Sequence, residues 1–160
     1  FQFQTTFLHD INRVLAADNL RIIGEVGFTY VNDLPDTKDM RFGRSSVYGS
    51  YGSETETFAD NGYVTELSWG YRLVGQLEYT NALISGLTLK PTLSWSHDVS
   101  GYGPEPGSQF YEGRMILGTA LAAEYMNTYT ANLSYTNYLS TDYWDLDDRD
   151  FVSLNIGVNF

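Results

Sequence analysis

Phe151-Val152-Ser153-Leu154-Asn155-Ile156-Gly157-Val158-Asn159-Phe160 closes the sequence, and it alternates. Val152, Leu154, Ile156, Val158 and Phe160 are apolar, whereas Ser153, Asn155, Gly157 and Asn159 are small or polar. A period of two marks a strand with one greasy face. The polar face of a strand in a soluble sandwich usually carries charges to meet water, and this one carries none.

The rest of the chain repeats the pattern. Residues 1–11 alternate Phe1, Phe3, Thr5 and Phe7 against Gln2, Gln4 and Thr6, and the sequence predicts a first strand there, with a turn at residues 16–19. A second strand is expected over residues 20–32, with Ile22, Gly24, Val26, Phe28 and Tyr30 on one face. Residues 63–80 keep register for 18 positions, far beyond a typical soluble strand. Tyr63, Leu67, Trp69, Tyr71, Leu73, Leu77 and Tyr79 share one face there. Residues 87–96 give a fourth strand, in which Pro91 removes a ladder donor and predicts a bulge or a locally weak pairing. Residues 110–126, 129–136 and 151–160 complete seven strands.

Composition agrees with this periodicity. One domain fits 160 residues, and aromatic residues make up 16% against 18% charged. Cysteine is absent, which removes disulfides, thiol catalysis and thiolate metal sites. A net charge of −11 offers no basic stripe for nucleic acid. No apolar run approaches the roughly 18 residues of a membrane helix, as expected when the spans are strands.

Turns alternate between short (16–19, 81–86, 127–128) and long (33–62, 100–109, 139–150), the asymmetry of outer-membrane barrels. The apolar stretches 87–95, 117–125 and 152–160 each span nine residues, enough for a tilted strand to cross hydrocarbon. Tyr79, Tyr125, Tyr129 and Phe160 mark the short-turn rim, and Trp69, Trp95 and Tyr135 lie towards the long-loop rim. The expected fold is therefore all-β: a transmembrane antiparallel β-barrel over residues 1–160, with outer loops at 33–62, 100–109 and 139–150. Single-chain bacterial barrels have even strand numbers. Seven strands predict either the C-terminal part of a larger barrel or a strand overlooked within residues 33–62, and a Phe1 with no initiator Met or signal peptide predicts a chain that is either processed or a fragment.

Two resemblances follow. An aromatic last residue after alternating apolar positions is similar to the signal by which outer-membrane barrels are recognised for insertion, here Val152, Leu154, Ile156, Val158 and Phe160. The stretches Gly24-Glu-Val-Gly27, Trp69-Gly-Tyr-Arg-Leu-Val-Gly-Gln-Leu-Glu-Tyr79, Leu93-Ser-Trp-Ser-His-Asp-Val-Ser-Gly-Tyr102, Tyr111-Glu-Gly-Arg114, Leu133-Ser-Tyr-Thr-Asn137 and Asp148-Arg-Asp-Phe-Val-Ser-Leu154 carry the other. They resemble the C-terminal portion of a proteobacterial outer-membrane family catalogued as a domain of unknown function. That resemblance implies a longer parent protein, a setting near export or lipid-handling components, and no catalytic residue set.

Function is read from the faces. Arg21, Glu25, Glu66, Arg72, Glu78, Lys90, Arg114 and Glu124 are expected to line the lumen. There they either set the selectivity of an aqueous path or pair across strands to satisfy one another. Leu73, Leu77, Leu89, Leu117, Leu121, Leu154 and Ile156 are expected to meet lipid. Asp142, Asp145 and Asp147 are weak candidates for a hard cation shared with lipopolysaccharide phosphates, but their spacing fits no EF-hand, and a solvated acidic loop explains them as well. No cofactor is expected. Nor is an enzyme, because His9 and His97 are the only histidines and His97 and Asp98 point to opposite faces. The expected role is a porin-like channel or transport path in a Gram-negative outer membrane, with lipid, lipopolysaccharide and the barrel-assembly machinery as partners. The alternative is a structural or assembly protein with a plugged lumen.

Overall fold

Aromatic and β-branched residues at every second position favour extended backbone. The computed structural model, which describes residues 1–42, 62–104, 110–139 and 148–160, builds seven strands from them. They are β1 (Gln2–Val14), β2 (Ala17–Tyr30), β3 (Leu67–Thr80), β4 (Leu87–Ser100), β5 (Met115–Tyr125), β6 (Tyr129–Leu139) and β7 (Phe151–Val158). Each pairs antiparallel with the next in one sheet, ordered β1 to β7, and the described residues contain no helix.

The sheet is not closed into a barrel, because β1 and β7 are its two edges. Direction explains this. In an up-and-down meander the first and seventh strands run the same way, so they cannot close on each other by the antiparallel pairing used everywhere else. The expectation of a strand overlooked near Met40 falls mostly outside the described residues, and residues 40–42 are not in a strand.

Register places the side chains. Phe28 lies opposite Trp69, Leu73 opposite Trp95, Trp95 opposite Leu117, Leu121 opposite Leu133, and Leu133 opposite Leu154. Directly opposed residues share a face, so one side of the sheet is apolar from edge to edge. The other side carries Arg21 opposite Gln76, Glu25 opposite Arg72, Glu124 opposite Thr130 and Asn132 opposite Asn155. Even on the inner strands the apolar side is open: Leu73 is 41% exposed, Leu93 55% and Leu133 50%. The buried apolar side chains among the described residues are Ala17, Tyr63, Val64 and Phe110, and the last three belong to the long-loop end.

Several sequence expectations shift at strand ends. The third strand begins at Leu67 rather than residue 63. Tyr63 and Val64 are buried instead, and Thr65 is held by Tyr102, whose N–H donates to Thr65 Oγ1 at 2.9 Å. Glu66 thus lies in a bend outside β3, its carbonyl accepting from the Val31 N–H at 2.8 Å. The fifth strand begins at Met115 rather than residue 110, because the Arg114 N–H folds back to the Tyr111 carbonyl at 2.9 Å. The last strand ends at Val158, where its partner β6 reaches Tyr129. Asn159 makes one further bond, to the Thr128 carbonyl at 2.8 Å, and Phe160 extends beyond the ladder, fully exposed.

Pro91 produces the weak pairing rather than a bulge. Gln76–Thr92 and Tyr79–Leu89 keep one register, while Leu77 and Glu78 between them have no ladder partner on β4. A donor-less residue interrupts bonding without forcing a slip. The register shift lies elsewhere, between Trp69 and Gly70.

The first hairpin turns at Leu15 and Ala16, with φ of 53° and 61°. Two left-handed positions suit the right-handed twist of a hairpin, but Asn and Gly fill them at far lower cost. Leu15→Asn combined with Ala16→Gly is therefore expected to stabilise the hairpin by on the order of 1 kcal/mol, read as a higher urea midpoint for protein refolded in detergent. An unchanged or lower midpoint contradicts the turn geometry.

Candidate functional site

Among the described residues polar chemistry is concentrated on the charged face of the sheet, and strand register aligns it. Asp10 lies opposite Arg21, and Arg21 Nε donates to Asp10 Oδ1 at 2.9 Å. Lys90 Nζ stands 3.6 Å from Glu78 Oε2, across the stretch that Pro91 leaves unbonded. Gln76 donates to Thr92 Oγ1 at 3.0 Å, and Thr6 to Glu25 Oε2 at 3.4 Å. The exposed pairs contribute little stability individually. Their importance lies in placing opposite charges on a single face.

Towards the long-loop end this face becomes a pocket. Asp98 is 3% exposed, and its Oδ2 stands 2.6 Å from Arg114 Nη2. The same oxygen accepts from the Tyr111 N–H at 3.0 Å, while the Asp98 backbone bonds to Arg114 and Gly113, each at 2.9 Å. Arg114 also lies over the Tyr111 ring, 5.1 Å from its centre. Asp98 thereby fastens a tight turn at residues 110–114 to the end of β4. Beside the turn is a cavity of about 450 Å³ lined by Gln4, Glu25, Gly27, Arg72, Asp98 and Phe110, among others.

Of the eight residues expected from sequence, Arg21, Glu25, Arg72, Glu78, Lys90 and Glu124 occupy the charged face of β2 to β5. Glu25, Arg72 and Arg114 meet at the cavity, whereas Glu66 does not join them. Asp10 and Asp98, the partners of Arg21 and Arg114, were not in the expected set. Asp10 continues the even-numbered polar series of β1, and that alternation was the available signal. Asp98 was weighed only beside His97, and its pairing with Arg114 was missed because that partner is fixed by a turn rather than by the period of two. Leu73, Leu77, Leu89, Leu117, Leu121, Leu154 and Ile156 all fall on the opposite, apolar side. His97 is there too, edge-on to Tyr71 at 5.6 Å. Asp142, Asp145 and Asp147 lie outside the described residues.

A second latch lies at the entry to β7. Asp150 accepts from the Tyr138 N–H at 2.8 Å, from the Tyr135 hydroxyl at 2.8 Å and from the Asn137 side chain. These donors, the Tyr138 N–H foremost, hold the Asp150 carboxyl below its ordinary pKa.

The family model described as "Protein of unknown function (DUF1302)" matches residues 1–160. No curated protein and no solved structure matches the chain.

The latch makes a pH prediction. A carboxylate whose folded-state pKa is depressed stabilises above its unfolded value, about 3.9, and loses that contribution as pH falls through the lower folded value. Asp150→Asn should lower the urea midpoint at neutral pH, with the gap to the parent closing in acid below that range. An equal gap at neutral and acid pH contradicts the charged latch.

Proposed function

The chain belongs to the DUF1302 family, proteins of unknown function, and on that footing we propose that it forms part of a transmembrane antiparallel β-barrel in the outer membrane of a Gram-negative bacterium. There it serves as a porin-like channel or exit path for small or hydrophobic molecules. The observation that carries this is the two-sided sheet. Leu73, Leu93, Leu121 and Leu133 of inner strands remain about half exposed on one side, while the ion pairs Asp10–Arg21, Glu78–Lys90 and Asp98–Arg114 lie on the other. A sheet in water buries its apolar side against a second layer. Among the described residues no such layer exists, and an apolar surface this continuous marks an interaction site or a membrane. Lipid is the partner that suits all seven strands at once.

Two further features support a barrel. A line across the ladder from Leu8, in the middle of β1, passes through Ile23, Val74, Ser94, Gly118 and Thr136 and leaves at Phe151, the first residue of β7. That drift along the strands is the stagger that tilted, closing strands require. Aromatic residues flank the apolar side: Tyr125 stacks on Tyr129 beside a short turn, and Trp95 Nε1 donates to the Tyr71 hydroxyl at 3.3 Å towards the long loops. Antiparallel closure then takes an odd number of strands beyond these seven. Lipid, lipopolysaccharide at the loop end and the assembly machinery at β7 are the partners this assigns, with no catalytic role and no nucleic acid.

The 110–114 turn, with Phe110 buried on the charged side, favours a second reading, a structural protein whose lumen is filled. Conductance decides between the two. The full-length protein in planar bilayers should give discrete current steps, and silence from correctly folded protein would leave the structural role. The last residue makes a separate prediction. Because β7 ends at Val158 and Phe160 is outside the ladder, deleting Phe160 should leave the urea midpoint of refolded protein unchanged while sharply reducing insertion in cells. Normal insertion of the truncated protein removes the signal role.

A further inference from the structure

We infer that the 110–114 turn is a selectivity element, laid across the charged side so that it narrows the path and admits small polar or zwitterionic solutes while holding back larger ones. The inference rests on the channel reading above and decides between the two solute classes that it leaves open.

Phe110 is the first observation. It belongs to the connection between β4 and β5, yet the tip of its ring lies 3.4 Å from where a side chain on Gly27 of β2 would begin. To reach that point the turn crosses both β4 and β3. Gly27 lies opposite Gly70 on the charged side, so two adjacent strands present no side chain beneath the ring. A phenyl group that is 9% exposed, on the face that carries the charges, is not a lipid contact. It is an apolar obstruction placed over polar surface.

The fastening is the second observation. Asp98 anchors the turn through Arg114 Nη2, the Tyr111 N–H and two backbone bonds, and is itself almost fully buried. Glu112 adds a bond from the Gly101 N–H at 2.7 Å, and the Gly103 N–H donates to the Phe110 carbonyl at 2.9 Å. A buried ion pair is costly to assemble, but removal of one member strands the other charge, so the turn is held in one position. A loop that only capped the sheet would not need a buried charge pair to fix it over the path.

Chemistry of the remaining opening is the third. Glu25 and Arg72 are opposite each other in register, and both line the cavity of about 450 Å³ beside Phe110. No ion pair joins these two among the described residues. Opposite charges side by side on one wall of the opening, Glu25 half-buried and Arg72 exposed, hold a field that favours dipolar solutes and disfavours apolar ones. The volume is of the order of a small-molecule site, about 300–1,000 Å³.

Swelling of proteoliposomes in a graded series of neutral sugars, from monosaccharide to tetrasaccharide, tests this on the full-length protein. Phe110→Ala removes the ring and leaves the Asp98 clamp intact, so it should fold, and Asp98→Asn weakens the clamp itself. Phe110→Ala is expected to raise entry of the larger sugars severalfold with a smaller effect on monosaccharide. Asp98→Asn, where its heat-modifiable mobility shows folded protein, should shift the cut-off the same way. A wild type that is closed and a Phe110→Ala variant that conducts supports the same conclusion. Wild-type size dependence in Phe110→Ala overturns the constriction while the channel reading stands. Folded wild type and folded variants that all fail to admit solute overturn both.

Discussion

One constraint underlies the rest: five of the six strand pairs keep one register throughout, β3–β4 shifts only at its Trp69 end, and slipping any pair by one residue would turn a whole strand over. Leu133 meets both Leu121 and Leu154, and Asn132 meets both Ala122 and Asn155. An apolar side and a polar side are therefore one decision made repeatedly, not two independent features. Without a covering layer among the described residues, that decision fixes which solvent each side requires.

Charge is distributed accordingly. Arg21 and Asp10 have side chains 50% and 37% exposed, and at such sites an ion pair is worth little beyond choosing a face. Asp98 and Arg114, 4% and 13% exposed, are different in kind. Desolvating them is costly, and the backbone bonds to Asp98 offset part of that cost. Among the described residues the fold thus keeps its burial at the loop end, where Phe110, Tyr63 and Val64 also lie out of water, and leaves the broad apolar face largely open. A water-soluble sheet would reverse that arrangement.

Most of the strand pattern was legible in the sequence because a period of two is a local property. The turn at residues 81–86 was equally plain, with Asn81 Oδ1 accepting from the Gly86 N–H at 2.8 Å. What sequence missed depended on partners distant in the chain. Nothing at Tyr63 shows that Tyr102 will hold Thr65 out of the ladder, and nothing at Phe110 shows that Gly27 will lie beneath it. Leu15 and Ala16 lack turn chemistry, so the turn was expected over residues 16–19 rather than at 15–16. Edge status was legible only from the strand count: β1 and β7 alternate as well as any inner strand, and an odd number of strands leaves them running the same way. Of the expected site, the face was legible and the Asp98 clamp was not, because the clamp follows from a turn rather than from a period.

The most direct measurement is lipid contact along one strand. These 160 residues have no cysteine, so, with any cysteine elsewhere replaced by serine, single cysteines can be introduced at successive positions from Leu73 to Leu77 of the full-length protein, labelled with a fluorophore and reconstituted into vesicles containing brominated lipid. If lipid bathes the apolar face, quenching alternates, strong at Leu73, Gly75 and Leu77 and weak at Val74 and Gln76. Uniform quenching, or protection of the odd-numbered positions, would mean that protein or water covers that face and would contradict the membrane barrel.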